Sequence, residues 1–193
     1  MIRVNRILNQ DVWDTVCDDP SCGEFRVEIK PEVRKSLLRI AYDFLESLDP
    51  KMKFTDITLT GSMANYNYTD QSDLDLHVLF NFDAQGESGE LIQDLFNAKR
   101  RIWNDSHNIK IRDHDVELYA QDTNEPHHST GVFSVLRNKW LVVPHRTNPE
   151  IDEEYVLKKS QDIMDRIDFL VDLEDKRSSL QNTKDKIMKM RKA

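Results

Sequence analysis

The residues most able to do chemistry are two aspartates, Asp73 and Asp75, in the run Ser-Asp-Leu-Asp-Leu over 72–76. On a β-strand, residues two apart point to the same face, with Cα atoms about 6–7 Å apart. Two carboxylates at that distance repel one another and favour hard divalent cations, which prefer oxygen ligands. Two-metal sites use such ions to align an attacking and a leaving oxygen. We therefore predict that Asp73 and Asp75 hold two Mg²⁺ or Mn²⁺ ions.

Gly61 and Ser62 precede these aspartates and could hold a phosphate. Glycine lets the backbone approach an anion closely, and the Ser62 hydroxyl adds a hydrogen-bond donor. If residues 62–67 open a helix, its first amides would add partial positive charge for the same anion. A phosphate cradle before an Asp-x-Asp strand is the layout that a magnesium-bound triphosphate needs, so Gly61 and Ser62 are predicted to bind nucleotide.

A third carboxylate is expected on a later strand, because a two-metal phosphoryl site needs one beside the attacking hydroxyl. The run DVELYAQ alternates polar and apolar residues and offers Asp115 and Glu117 on one face. Glu117, in the middle of the run, is the first choice and Asp115 the second. The alternative interpretation of Glu117 is an exposed acid on an edge strand.

The elements that must position these residues indicate an α+β fold, a mixed β-sheet flanked by helices. Apolar spacings of three and four predict helices, and alternation predicts strands. Helices are predicted over 31–49 and 88–105, strands over 55–60, 73–80 and 115–121, and a hairpin over 131–144. The segment 12–25, with Pro20, Gly23 and several aspartates, is interpreted as a loop.

The chain is predicted to comprise a catalytic domain over 1–148 and a C-terminal helical segment over 149–193. Neither Gly nor Pro occurs from Glu150 onward, and the pattern there is helical. Residues 175–193 carry seven basic and two acidic side chains, a net charge of +5 within a chain of −8. This basic last helix is either a solvated face or a surface for RNA, nucleotide or a partner.

Bulk composition narrows the possible functions of the 193 residues. The mean hydropathy is −0.66 and the pI about 5.3. No apolar run approaches the roughly 18 residues that a membrane span requires, and no signal peptide is visible, so a cytoplasmic protein is expected. The acidic balance argues against nonspecific coating of nucleic acid by the whole surface.

Cysteines and histidines offer weaker signals. Cys17 and Cys22 are interpreted as two reduced thiols, with a short-loop disulfide as the alternative. His127 and His128 lie in a segment that either contacts substrate near the cleft or is a plain surface loop. His77 shares a face with the two aspartates and is either a supporting group of the site or a structural histidine.

The stretch GSMANYNYTDQSDLDLHV resembles the signature of the DNA polymerase β-type nucleotidyltransferase superfamily, in particular its short stand-alone members. That signature is a hydrophobic residue, Gly-Ser, about ten residues, and then Asp-hydrophobic-Asp-hydrophobic. Here residues 63–72 separate Gly61-Ser62 from Asp73. The resemblance covers about residues 30–121 in element order, and the family's third carboxylate then corresponds to Glu117.

The resemblance implies a nucleotidyltransferase that moves a nucleoside monophosphate from an NTP such as ATP to an acceptor hydroxyl, with release of pyrophosphate. The acceptor stays open among RNA, protein and small molecules, and the oligomeric state is not predicted. Family members often carry a basic residue soon after Gly-Ser, where this chain has Met63 and Asn65. The alternative is therefore an inactive nucleotide-, RNA- or partner-binding module. Candidate triphosphate contacts are Lys139, Lys158, Lys159 and the basic tail.

Overall fold

A computed structural model describes most of the chain up to residue 146. The ranges described are 4–17, 25–48, 52–85, 89–125 and 129–146, together with 157–158, 160–161 and 164–165. The chain divides into two compact units, Arg3–Arg146 and Thr147–Ala193.

The first unit mixes strands and helices, in agreement with the α+β fold class. Its elements are β1 (Trp13–Cys17), β2 (Arg26–Ile29), α1 (Pro31–Glu46), β3 (Phe54–Thr60), β4 (Leu74–Phe80), α2 (Gly89–Ser106), β5 (Lys110–Ile111), β6 (His114–Asp122), β7 (Val132–Ser134) and β8 (Lys139–Val142). Both predicted helices, the three predicted strands and the hairpin β7–β8 are confirmed. Asn138 in the hairpin turn has a φ of 53°, a conformation that asparagine tolerates.

Six of these strands form one mixed sheet in the order β5-β6-β4-β3-β7-β8. β4 and β6 run parallel, and the other neighbours are antiparallel. Parallel neighbours need a long crossover connection, which α2 provides between β4 and β6. The strand with the aspartates and the strand with Glu117 are therefore adjacent at the centre of the sheet, although about forty residues separate them in sequence.

The core lies on the face of the sheet where the apolar residues of β3, β4 and β6 point. Leu59, Leu76 and Leu118 are almost fully buried there. From α1, the side chains of Val33, Leu37, Ile40, Ala41 and Phe44 are buried. Phe96 of α2 packs on Phe80, with ring centroids 4.3 Å apart. Because the apolar side chains take this face, the alternate residues of β4 and β6 form the other, polar face.

α2 also covers the outer edge of β6. The Asn104 side chain donates to the Leu118 carbonyl at 2.9 Å and accepts from the Leu118 N–H at 3.1 Å. Backbone groups at this edge are thus paired by a helix side chain in place of another strand, which is one way proteins protect exposed edges.

The β7–β8 hairpin is anchored to β3 by the buried carboxylate of Asp56. Its Oδ1 accepts a hydrogen bond from Ser134 Oγ at 2.7 Å. Arg137 Nε lies 3.6 Å from the Oδ2 atom of Asp56 and supplies the opposite charge. Burying a carboxylate is tolerated when it is paired and hydrogen-bonded in this way.

The interpretation of residues 12–25 as a loop was wrong for Trp13–Cys17, which forms β1 and pairs with β2. Val16 points outward and is 73% exposed, whereas Trp13 and Cys17 are buried. Because an apolar residue faces outward and a bulge lies between Thr15 and Cys17, the alternation of apolar and polar residues does not indicate this strand. The expectation of free thiols was also wrong, because Cys17 is disulfide-bonded. The chain's other cysteine, Cys22, lies outside the described residues.

In the second unit, all six described residues are helical and exposed. Gln161 Nε2 donates to Asp165 Oδ1 at 2.7 Å, a pairing of residues four apart that supports a helix. The predicted basic last helix lies outside the described residues. None of the helices in the described ranges has the length and apolar content that a bilayer crossing requires.

Candidate active site

The three predicted acids belong to one corner of the polar face. In the parallel ladder between β4 and β6, Asp75 is the register partner of Glu117. Asp73 directly precedes β4, two residues before Asp75, and so continues the same side of the strand. All three side chains are half-buried. The structure therefore brings together the residues that the sequence analysis selected, and Glu117 is not an exposed acid on an isolated edge.

Burial and the neighbouring acids both oppose ionisation of the Asp75 carboxyl. Burial raises the pKa of Asp75 from 3.8 to about 7, with the Glu117 and Asp73 carboxylates adding to the effect. A carboxyl whose charge is opposed by burial and by two other acids is stabilised by a bound cation. The cluster is thus a place where positive charge would be strongly favoured.

Gly61 brings the backbone into direct contact with this cluster. Thr60, the last residue of β3, pairs with Asp75 in the antiparallel ladder, and Gly61 follows with a φ of 72°. A Cβ atom built on Gly61 would overlap the Asp75 carboxylate. Only glycine fits both the positive φ and the close approach. The Gly-Ser turn therefore lies beside the aspartates, as the predicted site requires.

Three contacts fix the turn after Gly61. Trp13 Nε1 donates to the Met63 carbonyl at 2.7 Å. Gly131 packs so closely that a Cβ atom there would overlap the Ala64 carbonyl oxygen. Ser62 Oγ donates to Ser72 Oγ at 2.8 Å, which links the turn to the residue before Asp73. The turn is therefore rigidly placed relative to the acids.

The helix considered over residues 62–67 is not formed. A single 3₁₀ turn covers Ser62–Ala64, and Asn65 is extended. Three residues make no significant helix dipole, so this source of positive charge for a phosphate is absent from the turn. The Ser62 hydroxyl is engaged with Ser72, and its contact with a phosphate stays a prediction.

The loop before Asp73 is anchored by a buried histidine. His114 Nδ1 donates to the Ser72 carbonyl at 2.9 Å, and His114 Nε2 lies 3.6 Å from an Asp11 carboxylate oxygen. Next to His114, the second-choice acid Asp115 forms an ion pair with Lys110 Nζ at 2.9 Å. Asp115 is thus compensated by its own lysine, whereas Glu117 and Asp73 are the acids whose charges act on Asp75.

A tyrosine that the sequence analysis assigned no role holds the third acid. Tyr119 Oη donates to Glu117 Oε2 at 2.7 Å. Burial raises the pKa of the Tyr119 phenol, as do the hydrogen bond to Glu117 and the charges of Glu117 and Asp75, while Arg100 opposes them. Alternation along β6 places Glu117 and Tyr119 on one face, so the sequence did contain a signal for this pair.

The ring of Tyr119 is itself held on two sides. His77, its register partner on β4, stacks on it with centroids 4.8 Å apart, and Arg100 of α2 lies 4.9 Å from its centroid. The Gln121 side chain oxygen accepts from His77 Nδ1 at 2.7 Å, which orients the imidazole. His77 is thus held beside the acids by Tyr119 and Gln121, and its supporting role stays a prediction. No sequence pattern indicated Arg100, because only the course of α2 along β6 brings it there.

Other predicted candidates are less informative. Lys139 is exposed on β8, three strands from β4 in the sheet order, which corresponds to about 14 Å. The structure therefore does not bring Lys139 to the acids. Lys158 is exposed and belongs to the second unit. Lys159, His127 and His128 lie outside the described residues. Trp103 and Trp140 pack against the core, as predicted.

The acid cluster offers the carboxylate oxygen ligands that Mg²⁺ and Mn²⁺ prefer. A bound cation would also offset the repulsion that Glu117 and Asp73 exert on the Asp75 carboxylate. Among the described residues, no three His, Cys, Asp or Glu side chains already form a cation-binding arrangement. The residues that would hold the cation are Asp73, Asp75 and Glu117.

Comparisons with protein-family models, with curated proteins and with solved structures find no match for this chain. Function must therefore be argued from the site itself.

Proposed function

We propose that this protein is a magnesium-dependent nucleotidyltransferase with a nucleotidyltransferase-like fold. It would transfer a nucleoside monophosphate from an NTP to an acceptor hydroxyl and release pyrophosphate. The proposal rests on one observation, the set of groups that surround the Asp75 carboxyl. Glu117 is its register partner, Asp73 adds to the raised pKa, and Gly61 packs against it.

In the proposed reaction the acceptor oxygen bonds to the α-phosphorus, and the bond from that phosphorus to the bridging oxygen of the β-phosphate breaks. Pyrophosphate carries away the electron pair of that bond. Glu117 accepts the hydroxyl proton, which is the role of a general base. Bound magnesium would neutralise phosphate charge and make the acceptor hydroxyl more acidic.

Asp73 and Asp75 have a separate role in the proposal, since together with Glu117 they would hold the metal ions. Gly61 and Ser62 would bind the β- and γ-phosphates. The rigid turn favours this role, because a preorganised backbone loses little freedom when an anion binds. The close approach of Gly61 to the Asp75 carboxylate would place phosphates held by the turn next to metal ions held by the acids.

A binding module without catalysis is the second candidate, and one observation favours it. The Met63 side chain is fully buried, and the Asn65 side chain oxygen accepts the Asn67 N–H at 2.7 Å. Neither residue is therefore available to replace the basic side chain that often follows Gly-Ser in the family. Such a module would bind nucleotide, RNA or a partner without releasing pyrophosphate.

The test is to incubate the protein with α-labelled NTPs and Mg²⁺ or Mn²⁺ against RNA, protein and small-molecule acceptors. Label transfer with matching pyrophosphate release is expected, and the double variant Asp73→Ala/Asp75→Ala should lack both. Asp70→Asn is the matched control, because Asp70 is an exposed acid in the loop before the pair. Wild-type turnover equalled by the double variant would refute the catalytic proposal.

The same assay separates the two candidates. Nucleotide binding by calorimetry, with no pyrophosphate released under any condition, would favour the binding module. The acceptor panel also decides among RNA, protein and small molecules, which the polar face does not distinguish. We propose that the protein works in the cytoplasm, where NTPs are found, which would make the Cys17 disulfide one of the uncommon disulfides of that compartment.

A further inference from the structure

We propose that Tyr119 is a positioning residue for Glu117, fixing one carboxylate oxygen so that the other, Oε1, serves the metal ion. This inference rests on the proposed function, whose third metal ligand and base is Glu117. The phenol Oη donates to Oε2 at 2.7 Å, a length typical of a strong hydrogen bond to a carboxylate. Oε2 is therefore occupied by the hydrogen bond from Tyr119, and the position of the phenol sets the orientation of the carboxylate.

The ring can fix Glu117 only if it is fixed itself, and it is gripped from two elements. His77 stacks on it from β4, at 4.8 Å between centroids with planes 27° apart. Arg100 lies 4.9 Å from the centroid and comes from α2, which runs along the other edge of β6. A half-buried tyrosine between an imidazole and a guanidinium has little freedom to rotate.

The orientation of Glu117 matters because its nearest acidic neighbour is Asp75. Without the phenol, Glu117 would lose the donor that offsets its charge and would turn away from Asp75 to reduce repulsion. Residues that orient metal ligands in this way typically change metal affinity or activity by about 10- to 100-fold when they are altered. Tyr119→Phe removes only the hydroxyl and retains the stacked ring, so it isolates this effect.

The experiment measures Mn²⁺ binding by calorimetry to the full chain without nucleotide, in wild type and in Tyr119→Phe. We expect Mn²⁺ binding to weaken by about tenfold. Tyr42→Phe is the matched control, because Tyr42 is a 43% exposed tyrosine on α1, and it should bind as wild type does. Wild-type Mn²⁺ affinity in Tyr119→Phe would overturn the inference.

A double-mutant cycle with Glu117→Gln distinguishes positioning from a general structural role. If Tyr119 acts through Glu117, adding Tyr119→Phe to Glu117→Gln should weaken Mn²⁺ binding no further. Fully additive losses would overturn the inference. In turnover assays, Tyr119→Phe should lower kcat more than it raises KM for the NTP.

The two proposals fail separately. Mn²⁺ binding that depends on Tyr119, in a wild-type protein that turns over no NTP, would refute transfer and support the positioning role. Turnover by wild type with unchanged metal binding and kcat in Tyr119→Phe would support transfer and refute positioning.

Discussion

Replacing Asp75 by asparagine should stabilise the protein in the absence of metal, and the gain should grow with pH. The pKa of Asp75 rises from 3.8 to about 7 on folding. Each pKa unit corresponds to 1.36 kcal/mol, so ionising this carboxyl in the folded protein costs about 4 kcal/mol. The asparagine amide has nearly the same shape and no charge. The variant therefore avoids the cost of ionisation, and its folded state is more stable than that of wild type.

The pH dependence follows from the direction of the shift. Between about pH 4 and pH 7 the folded chain keeps a proton that the unfolded chain has released. The contribution of Asp75 to stability is therefore present at low pH and is lost as pH rises through the folded pKa. The advantage of Asp75→Asn over wild type should increase by about 3 kcal/mol from pH 5 to pH 8.

The assay is urea unfolding at pH 5 and pH 8 in EDTA. The control is Asp94→Asn, an exposed acid on α2, which should change the free energy of unfolding by less than about 0.5 kcal/mol. Adding Mg²⁺ should raise the stability of wild type more than that of Asp75→Asn, since a ligand of the folded state stabilises it. An Asp75→Asn protein no more stable than wild type at pH 8 would refute the electrostatic argument.

Three further substitutions test other contacts of the site and its support. Glu117→Gln should lower kcat by about 10²- to 10⁴-fold without unfolding the protein, as expected when a general base is lost; steady-state kinetics measure it. Gly61→Ala should reduce both stability and turnover, by more than about 1 kcal/mol in urea unfolding, because of its positive φ and the overlap with Asp75. Ser134→Ala should destabilise by about 1–3 kcal/mol in the same assay, because the buried Asp56 loses a donor.

Each of these predictions has a result that contradicts it. Unchanged kcat in Glu117→Gln would exclude Glu117 as the base. A fully stable and active Gly61→Ala would mean that the turn does not need its close approach to the carboxylate. Wild-type stability in Ser134→Ala, measured beside the exposed control Ser106→Ala, would show that Asp56 is satisfied without the serine.

The sequence predicted the elements whose spacing reflects a single buried face. The apolar positions of α1 recur every three or four residues, β6 alternates strictly, and β4 alternates from Leu74 to Val78, so their bounds followed closely. β1 was missed because Val16 faces outward and a bulge interrupts its pairing. The burial of β1 does alternate, but an exposed valine and a half-buried threonine reverse the residue types that an alternating strand normally shows.

For the candidate site, the sequence identified which acids share a face but not how they meet. Alternation places Glu117 on the polar side of β6, yet only the crossover through α2 makes β6 the neighbour of β4. The same topology brings Arg100 to Tyr119, a contact between two elements that no local pattern encodes. Long-range register is thus the part that required a structure.

The hydrogen bond from the Trp13 indole to the Met63 carbonyl makes residues near the start of the chain part of the support for the Gly-Ser turn. Val12 also accepts a backbone hydrogen bond from Lys30, so the β1–β2 hairpin is joined to the beginning of α1. A shortened protein beginning at Pro31 would retain every acid of the candidate site. It would nevertheless lose the Trp13 indole that donates to the Met63 carbonyl, 50 residues away in sequence. Removal of the first thirty residues should therefore weaken nucleotide binding at the Gly-Ser turn.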